Sequence, residues 1–243
     1  MAEVAAPPEA RLEVAEVTEE EEGEEEGPEL SAETFSVLAE FYQEQEEREA
    51  RQAAAGEVVE VALPEDWQLS QFWYSESTAA ALAAAVAAAV GEVAGGARVA
   101  CVSAPTLYRA LAKLPNIKAT CFEFDQRFAA FGEDFRFYDY RAPLEVDRGL
   151  REAFDLVFLD PPFLSEECLA KTAVTARLLA KERGTPTVLC TGEVMAGLAA
   201  RLLDLHMCAF LPRHENNLAN QFRCFANFDL DALIPQAAAA EHS

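Results

Sequence analysis

The chain has 243 residues, of which 51% are hydrophobic, so it can bury the core of one sizeable domain. Its net charge of -24 is concentrated at the front, because residues 1–60 carry 20 of the 43 acidic residues and only three arginines. Residues 61–243 show no basic stripe that would replace counterions on phosphates, which disfavours a protein that grips nucleic acid.

Membrane, secretory and metal-binding signals are all missing from the sequence. The amino terminus lacks a basic segment followed by an apolar one, and the longest apolar run has 12 residues before Gly91. A membrane span needs roughly 20. The six cysteines form no CxxC pair, and the three histidines match no zinc spacing. We therefore expect reduced thiols, no metal site, no membrane partner and a cytoplasmic location.

The front of the chain differs in composition from the rest. Residues 1–29 include the run EEEEGEEEGPE, a block of like charge that repels itself and cannot bury a core. We predict a disordered acidic leader there, which either solvates the chain or steers it towards a basic partner protein. Residues 30–57 are predicted to form a helix and a linker, because Ser31 can cap a helix whose apolar residues follow at helical spacing.

A folded domain is predicted over residues 58–232, followed by a disordered tail at 233–243. A helix at 75–90 opens it, and strand-like and helix-like segments then alternate. The segments predicted as strands are 97–104, 118–125, 135–140, 154–160, 186–192, 206–212 and 221–229. The later helices are predicted at 105–114, 126–132, 165–181 and 193–203. This alternation is typical of an α/β fold, a mostly parallel sheet with helices on both faces. The last two strands, joined by a short loop, are expected to form an antiparallel hairpin at one edge.

Polar residues follow several of these strands. In open α/β sheets, ligands bind beyond the carboxyl ends of the strands. That rule nominates four places: after the first strand (Ser103, Ala104 and Pro105), at Glu123 and Asp125, at Asp139, and from Asp160 onward. A carboxylate after the second strand is suited to hold the hydroxyl pair of a ribose, although acids at strand ends also cap helices.

The stretch FDLVFLDPPFLSEE drives a buried strand directly into Asp160-Pro161-Pro162-Phe163. Each proline fixes its φ and lacks an N–H, so the segment is rigid and its carbonyls are not consumed by a helix. A carboxylate beside such a carbonyl offers two acceptors to an amine, and the aromatic ring offers a face to cover it. The alternative is a plain loop in which proline ends the strand and Phe163 plugs the core.

The same run matches the [DNS]-PP-[YFW] signature of class I amino-methyltransferases, which use S-adenosylmethionine. Together with QLSQFWYS, VSAP, FEFD, FYDY, LCTG and PRHENNLANQFRC, it resembles one eukaryotic family over roughly residues 31–230. That family was first named for N6-adenine DNA methylation and methylates a lysine of translation elongation factor 1-alpha. The resemblance implies a Rossmann-like class I methyltransferase fold with a seven-stranded sheet, and S-adenosylmethionine as the cofactor.

The resemblance also implies roles for individual residues. Those implied to hold the cofactor are Trp73, Tyr74, Ser75, Ser103, Glu123 and Asp139. Those implied to receive the target amine are Asp160, Pro161, Pro162 and Phe163. Because a nearby carboxylate favours the ammonium form, we assign Asp160 to orienting the amine rather than to acting as a strong base. The loop residues Arg213, His214, Asn216, Asn217 and Asn220 belong either to a turn or to a surface that faces the substrate.

The implied protein is a monomeric protein-lysine N-methyltransferase acting on elongation factor 1-alpha. Two alternatives stay open from the residues alone. The first is adenine methylation on nucleic acid, which the mildly acidic catalytic half disfavours. The second is a non-catalytic binding module, since the loop Ser103-Ala104-Pro105 lacks the glycines that usually let a backbone approach this cofactor.

Overall fold

The computed structural model describes residue 65, residues 71–216 and residues 222–235. The predicted acidic leader, the N-terminal helix and linker, and residues 236–243 of the predicted tail lie outside this part of the chain. Asn217 and Asn220 lie outside it as well.

Seven strands of the described residues form one sheet. They are β1 (Ala97–Val102), β2 (Ile117–Glu123), β3 (Phe135–Phe137), β4 (Leu156–Leu159), β5 (Thr187–Gly192), β6 (His206–Met207) and β7 (Phe222–Ala226). Their order is β3-β2-β1-β4-β5-β7-β6. Strands β1 to β5 pair in parallel, and β7 is antiparallel to both β5 and β6. The expected mostly parallel sheet with an antiparallel edge is confirmed.

The central strands read as continuous apolar runs because both of their faces are covered. Every residue of β4 and β5 is buried. Successive side chains point to opposite faces, so each strand feeds two hydrophobic clusters alternately. One cluster contains Val99, Cys101, Leu156, Phe158, Val188 and Cys190. The other contains Ala100, Val102, Val157, Leu159 and Leu189.

Within the described residues, four α-helices cover these clusters. They are α1 (Glu76–Val90), α2 (Pro105–Leu111), α3 (Glu166–Leu179) and α4 (Ala196–Leu203). The helices α1 and α2 pack on the first cluster, and α3 and α4 pack on the second. Two predicted starts are confirmed by their caps, because the Ser75 hydroxyl accepts from the amide of Thr78 and the Ser165 hydroxyl accepts from the amide of Cys168. None of the helices in the described ranges has the length and apolarity needed to cross a bilayer.

The last hairpin differs from the expectation. Strand β6 has two residues instead of seven, and residues 208–221 connect it to β7, so the expected short loop is not observed. The amide of Cys208 still donates to the carbonyl of Cys224 on β7 at 2.8 Å. Beyond it, the amides of Ala209 and Phe210 donate to the Asp231 carboxylate instead, at 2.7 and 2.9 Å. The predicted strand at 135–140 is also shorter, and residues 126–134 form 3-10 turns rather than an α-helix.

Packing continues slightly beyond the predicted end of the domain at residue 232. Ile234 is buried in the first cluster, and Leu233 packs against it. The domain boundaries proposed from the sequence otherwise remain predictions.

The cap of α3 provides a test of the fold next to the Asp-Pro-Pro-Phe segment. We expect Ser165→Ala to lower the free energy of unfolding by about 1 kcal/mol, because the amide of Cys168 loses its acceptor. Urea unfolding monitored by circular dichroism measures the difference. Ser165→Thr keeps a hydroxyl, so its free energy of unfolding should stay close to that of the parent chain. Equal stability of the alanine variant would contradict the capping role.

Candidate active site

A cavity of about 220 Å³ opens at the carboxyl edge of the sheet. Its walls come from the segment before α1, from the loops that follow β1 and β4, from the ends of β2 and β5, and from the connection that enters β7. The lining residues are Gln71, Phe72, Trp73, Tyr74, Ser103, Ala104, Pro105, Thr106, Glu123, Asp160, Pro161, Pro162, Phe163, Leu164, Thr191, His214 and Phe222.

Asp160 is delivered to this cavity by β4. Its amide donates to the carbonyl of Val102 at 3.0 Å, which extends the pairing of β4 with β1 by one residue. Its Oδ2 accepts a 2.6 Å hydrogen bond from Tyr74 Oη, so Oδ1 is left for a ligand. Burial raises the pKa of Asp160 to about 7, the nearby Glu123 adds to the rise, and the Tyr74 hydrogen bond opposes it.

Tyr74 is only 2% exposed. Its backbone forms a β-bridge with His214, and its ring lies 5.0 Å from the His214 ring. Burial, followed by the neighbouring Asp160 carboxyl, raises the pKa of Tyr74 well above its usual value. The hydroxyl therefore stays protonated and acts as a donor to Asp160.

The two prolines and Phe163 form the rim of the cavity beside Asp160. Phe163 is 41% exposed, and its ring meets Tyr140 edge-on at 5.6 Å. The alternative in which Phe163 plugs the core is therefore wrong. The ring lies at the mouth of the cavity, where it can cover a group that enters.

Glu123 ends β2 and is 7% exposed. Its Oε1 accepts from the amides of Phe124 and Asp125 at 2.9 and 3.2 Å, which leaves Oε2 for a ligand. Burial raises the pKa of Glu123 to about 7, against the opposing effect of these two hydrogen bonds.

The loop after β1 turns without a glycine. Ser103 has φ of 55°, in the left-handed region that most side chains avoid. The turn is held by the Ser103 amide, which donates to the carbonyl of Phe122 at 2.8 Å. Pro105 then begins α2. This chain therefore accepts local backbone strain at the cavity, which is a common feature of ligand sites.

The segment before α1 is tied to the end of β2 by a polar network. Gln71 Nε2 donates to Asp125 Oδ2 at 2.9 Å, and Arg127 contacts both residues. Burial works against ionisation of Asp125, but the hydrogen bonds from Arg127 and Gln71 lower its pKa below the usual value. The ionised Asp125 thus fixes one end of the segment that carries Trp73 and Tyr74.

Eight of the ten residues proposed from the sequence lie together around the cavity: Trp73, Tyr74, Ser103, Glu123, Asp160, Pro161, Pro162 and Phe163. Ser75 and Asp139 are not among the lining residues. The Ser75 hydroxyl caps α1, and the Asp139 carboxylate is paired with Arg141 at 2.8 Å. Their proposed contacts with a cofactor remain predictions.

Several lining residues were missed. Thr191 ends a parallel strand, so the strand-end rule would have found it had it been extended to β5. Gln71 lies in the motif QLSQFWYS, which points to the segment but not to that side chain. His214 was named from the sequence only as part of a turn or of a surface that faces the substrate, and Phe222 was not named. A tertiary contact of His214 with Tyr74 brings their connection to the cavity.

All six cysteines are free and buried. The part of the chain that the structure describes contains no cluster of three or more His, Cys, Asp or Glu side chains suited to a metal ion.

The two buried carboxyls predict an unusual dependence of stability on pH. Asp160 and Glu123 have pKa values of about 7 in the folded protein, against 3.8 and 4.5 as ordinary values. Each carboxyl stabilises the folded state when it is protonated. This contribution to the free energy of unfolding is fully present below pH ~4 and is lost as the pH rises through ~7. Relative to Asp160→Asn or Glu123→Gln, the free energy of unfolding of the parent chain should fall by on the order of 2 kcal/mol per group between about pH 5 and about pH 8.

Urea unfolding of each variant at both pH values measures this loss. Asp155→Asn is the control, since the pKa of Asp155 is lowered and the group is ionised at both pH values. A stability difference between the parent chain and the Asp160 and Glu123 variants that does not change with pH would contradict the raised pKa values.

Known proteins resemble this chain in sequence and in fold. The profile of the family described as "Probable N6-adenine methyltransferase" matches residues 65–230. A solved branched-chain polyamine synthase from Thermus thermophilus superposes with a TM-score of 0.52 at 16% identity, covering 67% of this chain and 59% of that one. A likeness at that identity shows the fold alone.

Curated relatives are much more similar in sequence. Human EEF1A lysine methyltransferase 1 is 48% identical over 210 residues, covering 84% of this chain and 94% of the human protein. Protein-lysine N-methyltransferase EFM5 of Saccharomyces cerevisiae is 39% identical over 230 residues, covering 82% and 92%. The chain therefore belongs to the EEF1A lysine methyltransferase 1 family, whose members are S-adenosylmethionine-dependent protein-lysine N-methyltransferases.

Proposed function

We propose that this protein transfers a methyl group from S-adenosylmethionine to a lysine ε-amine of EEF1A. The observation that carries the proposal is the Asp160 carboxyl, held by Tyr74 in the same cavity as Glu123, with Oδ1 left for an amine. The names of the relatives point to EEF1A as the protein that carries the lysine.

The cavity residues fit the cofactor. When bound, S-adenosylmethionine supplies a methyl group on a positively charged sulfur. Glu123 Oε2 would accept from the ribose hydroxyls, because Oε1 is already occupied by two amides. Ser103 and Trp73 line the same space, and the left-handed turn at Ser103 gives this loop a sharp bend without glycine.

Asp160 orients the amine in this proposal. Tyr74 occupies Oδ2, so the amine donates an N–H to Oδ1, and Phe163 at the mouth covers it. Free lysine has a pKa of about 10.4, and reaching the neutral form near pH 7.4 costs about 4 kcal/mol. A carboxylate favours the ammonium form, so removal of the proton depends on desolvation inside the cavity and on the positive charge of the cofactor.

A protein substrate suits the charge of the chain better than nucleic acid does. Residues 61–243 carry 23 acidic and 16 basic residues, whereas a nucleic-acid site needs a basic groove along the phosphates. An acidic surface attracts basic proteins and repels phosphates. We extend the proposal to a monomer that acts in the cytoplasm through a catalytic domain at residues 58–232.

Replacement of Asp160 tests the reaction. With purified EEF1A and labelled cofactor, Asp160→Ala should lower the rate at least about 100-fold, because the amine loses its orientation. The affinity for S-adenosylmethionine, measured by calorimetry, should change little. Glu182→Ala serves as a matched control, since it removes an exposed carboxylate that does not line the cavity.

The labelled product should resist nuclease and be destroyed by protease. Label in nucleic acid instead would favour the adenine alternative, and unchanged turnover by Asp160→Ala would exclude the role given to this residue.

Replacement of Glu123 tests cofactor binding separately. Glu123→Ala should weaken S-adenosylmethionine binding about 10- to 100-fold, because hydrogen bonds to a charged acceptor are lost. Glu166→Ala removes an exposed carboxylate at the start of α3 and should leave the affinity unchanged. Equal affinities of the two variants would show that Glu123 does not hold the cofactor.

A further inference from the structure

We propose that His214 is a positioning residue of the amine site, whose ring fixes the Tyr74 ring in the orientation from which Tyr74 Oη donates to Asp160. The term amine site rests on the proposed function, but the positioning itself concerns only residues of this chain. Nothing in the sequence distinguishes His214 from its neighbours in the run PRHENN.

The backbone brings His214 to Tyr74 in a fixed register. Residues 73–75 and 213–215 run antiparallel, with the amide of Ser75 donating to the carbonyl of Arg213 and the amide of Glu215 donating to the carbonyl of Trp73, both at 2.9 Å. The Arg213 amide also donates to Thr78 Oγ1 at 3.0 Å. His214 and Tyr74 are therefore paired residues of a short ladder.

The Glu65 carboxylate also stabilises this ladder through two hydrogen bonds. Glu65 Oε1 accepts from the amide of Trp73 at 2.8 Å, and Glu65 Oε2 accepts from Asn216 Nδ2 at 2.7 Å. One carboxylate thus bridges the two antiparallel segments. The segment that carries His214 is therefore held by hydrogen bonds within the chain.

The ring of His214 lies between two aromatic rings. Its centroid is 5.0 Å from that of Tyr74, with the planes tilted by 37°. It is also 5.0 Å from that of Phe222, with the planes perpendicular. All three side chains line the cavity. Phe222 begins β7, so the sheet supports His214, and His214 supports Tyr74.

The charge state of His214 suits a site for a cation. Burial lowers the pKa of His214 to about 4, with Glu65 opposing the shift. The ring is therefore neutral at physiological pH and does not repel an entering ammonium. The titratable groups near Asp160 are Tyr74, Glu123 and the buried thiol of Cys224, while Cys190 lies next to Tyr74.

Tyr74 gives the proposal a measurable consequence. The hydrogen bond from Tyr74 lowers the pKa of Asp160 and so favours the carboxylate that an amine needs. If His214 acts through Tyr74, removal of the His214 ring should raise the pKa of Asp160. Removal of the Tyr74 hydroxyl should raise it as well. A purely structural role in the loop would lower stability without changing this pKa.

The test is the carboxyl ¹³C NMR titration of Asp160 in the ligand-free protein, with the signal identified by its absence in Asp160→Asn. Tyr74→Phe should move the titration upward by about one pH unit, as expected for one lost hydrogen bond to a charged group. His214→Ala should move it in the same direction. His214→Phe keeps a ring between Tyr74 and Phe222 and should titrate like the parent chain.

Three controls make the result decisive. His206→Ala changes an exposed histidine on β6 and should have no effect. The double variant His214→Ala with Tyr74→Phe should shift no further than Tyr74→Phe alone. If near-UV circular dichroism shows that His214→Ala is unfolded, His214→Gln removes the ring while keeping a polar side chain of similar length.

An unchanged titration in the ring-less variant, an additive shift in the double variant, or a shift in His214→Phe would each overturn the proposal. Activity on EEF1A gives a second readout, with kcat expected to fall about tenfold in His214→Ala. Absence of EEF1A methylation by the parent chain would contradict the proposed function, whereas the titration would still decide the role of His214.

Discussion

The hydrogen bond from Tyr74 to Asp160 is the interaction on which the site depends. It joins residues 86 positions apart, one on the segment before α1 and the other at the end of β4. The same segment is anchored to the end of β2 through Gln71 and Asp125, and to residues 213–215 through a short antiparallel ladder. The segment before α1 thus connects the end of β4, the end of β2 and residues 213–215 around the Asp160 carboxyl.

Several features of the site lower the stability of the folded protein. Two carboxyls with pKa values of about 7 share the cavity, and each disfavours its ionised form because it is buried. Ser103 adds backbone strain nearby. Buried carboxyls and strained turns persist where the surrounding structure holds them, here through the parallel pairing of β1 with β2 and β4. A positively charged ligand in the cavity would relieve the electrostatic part of this cost.

Prediction from the sequence succeeded for features that depend on residues close together in the chain. The caps at Ser75 and Ser165 and the ends of β1, β2 and β4 follow from neighbouring residues, so most of the site could be found in this way. It failed for the connection after β6, because residues 206–212 look like a strand in isolation. There the Asp231 carboxylate accepts from the amide of Phe210, which would otherwise be directed towards β7, and such competition between distant groups is invisible in a local pattern.

The sequence by itself determined the alternation of strands and helices, the placement of Ser103, Glu123 and Asp160 at one edge, and, through the resemblance of its motifs, the class of enzyme. Apolar period, helix caps and proline act over a few residues, so they can be read directly. Only the tertiary structure decided that Tyr74 donates to Asp160, that Phe163 lies at the mouth rather than in the core, and that His214 supports Tyr74. These contacts depend on which distant segments meet when the two clusters are buried, and no local spacing encodes that choice.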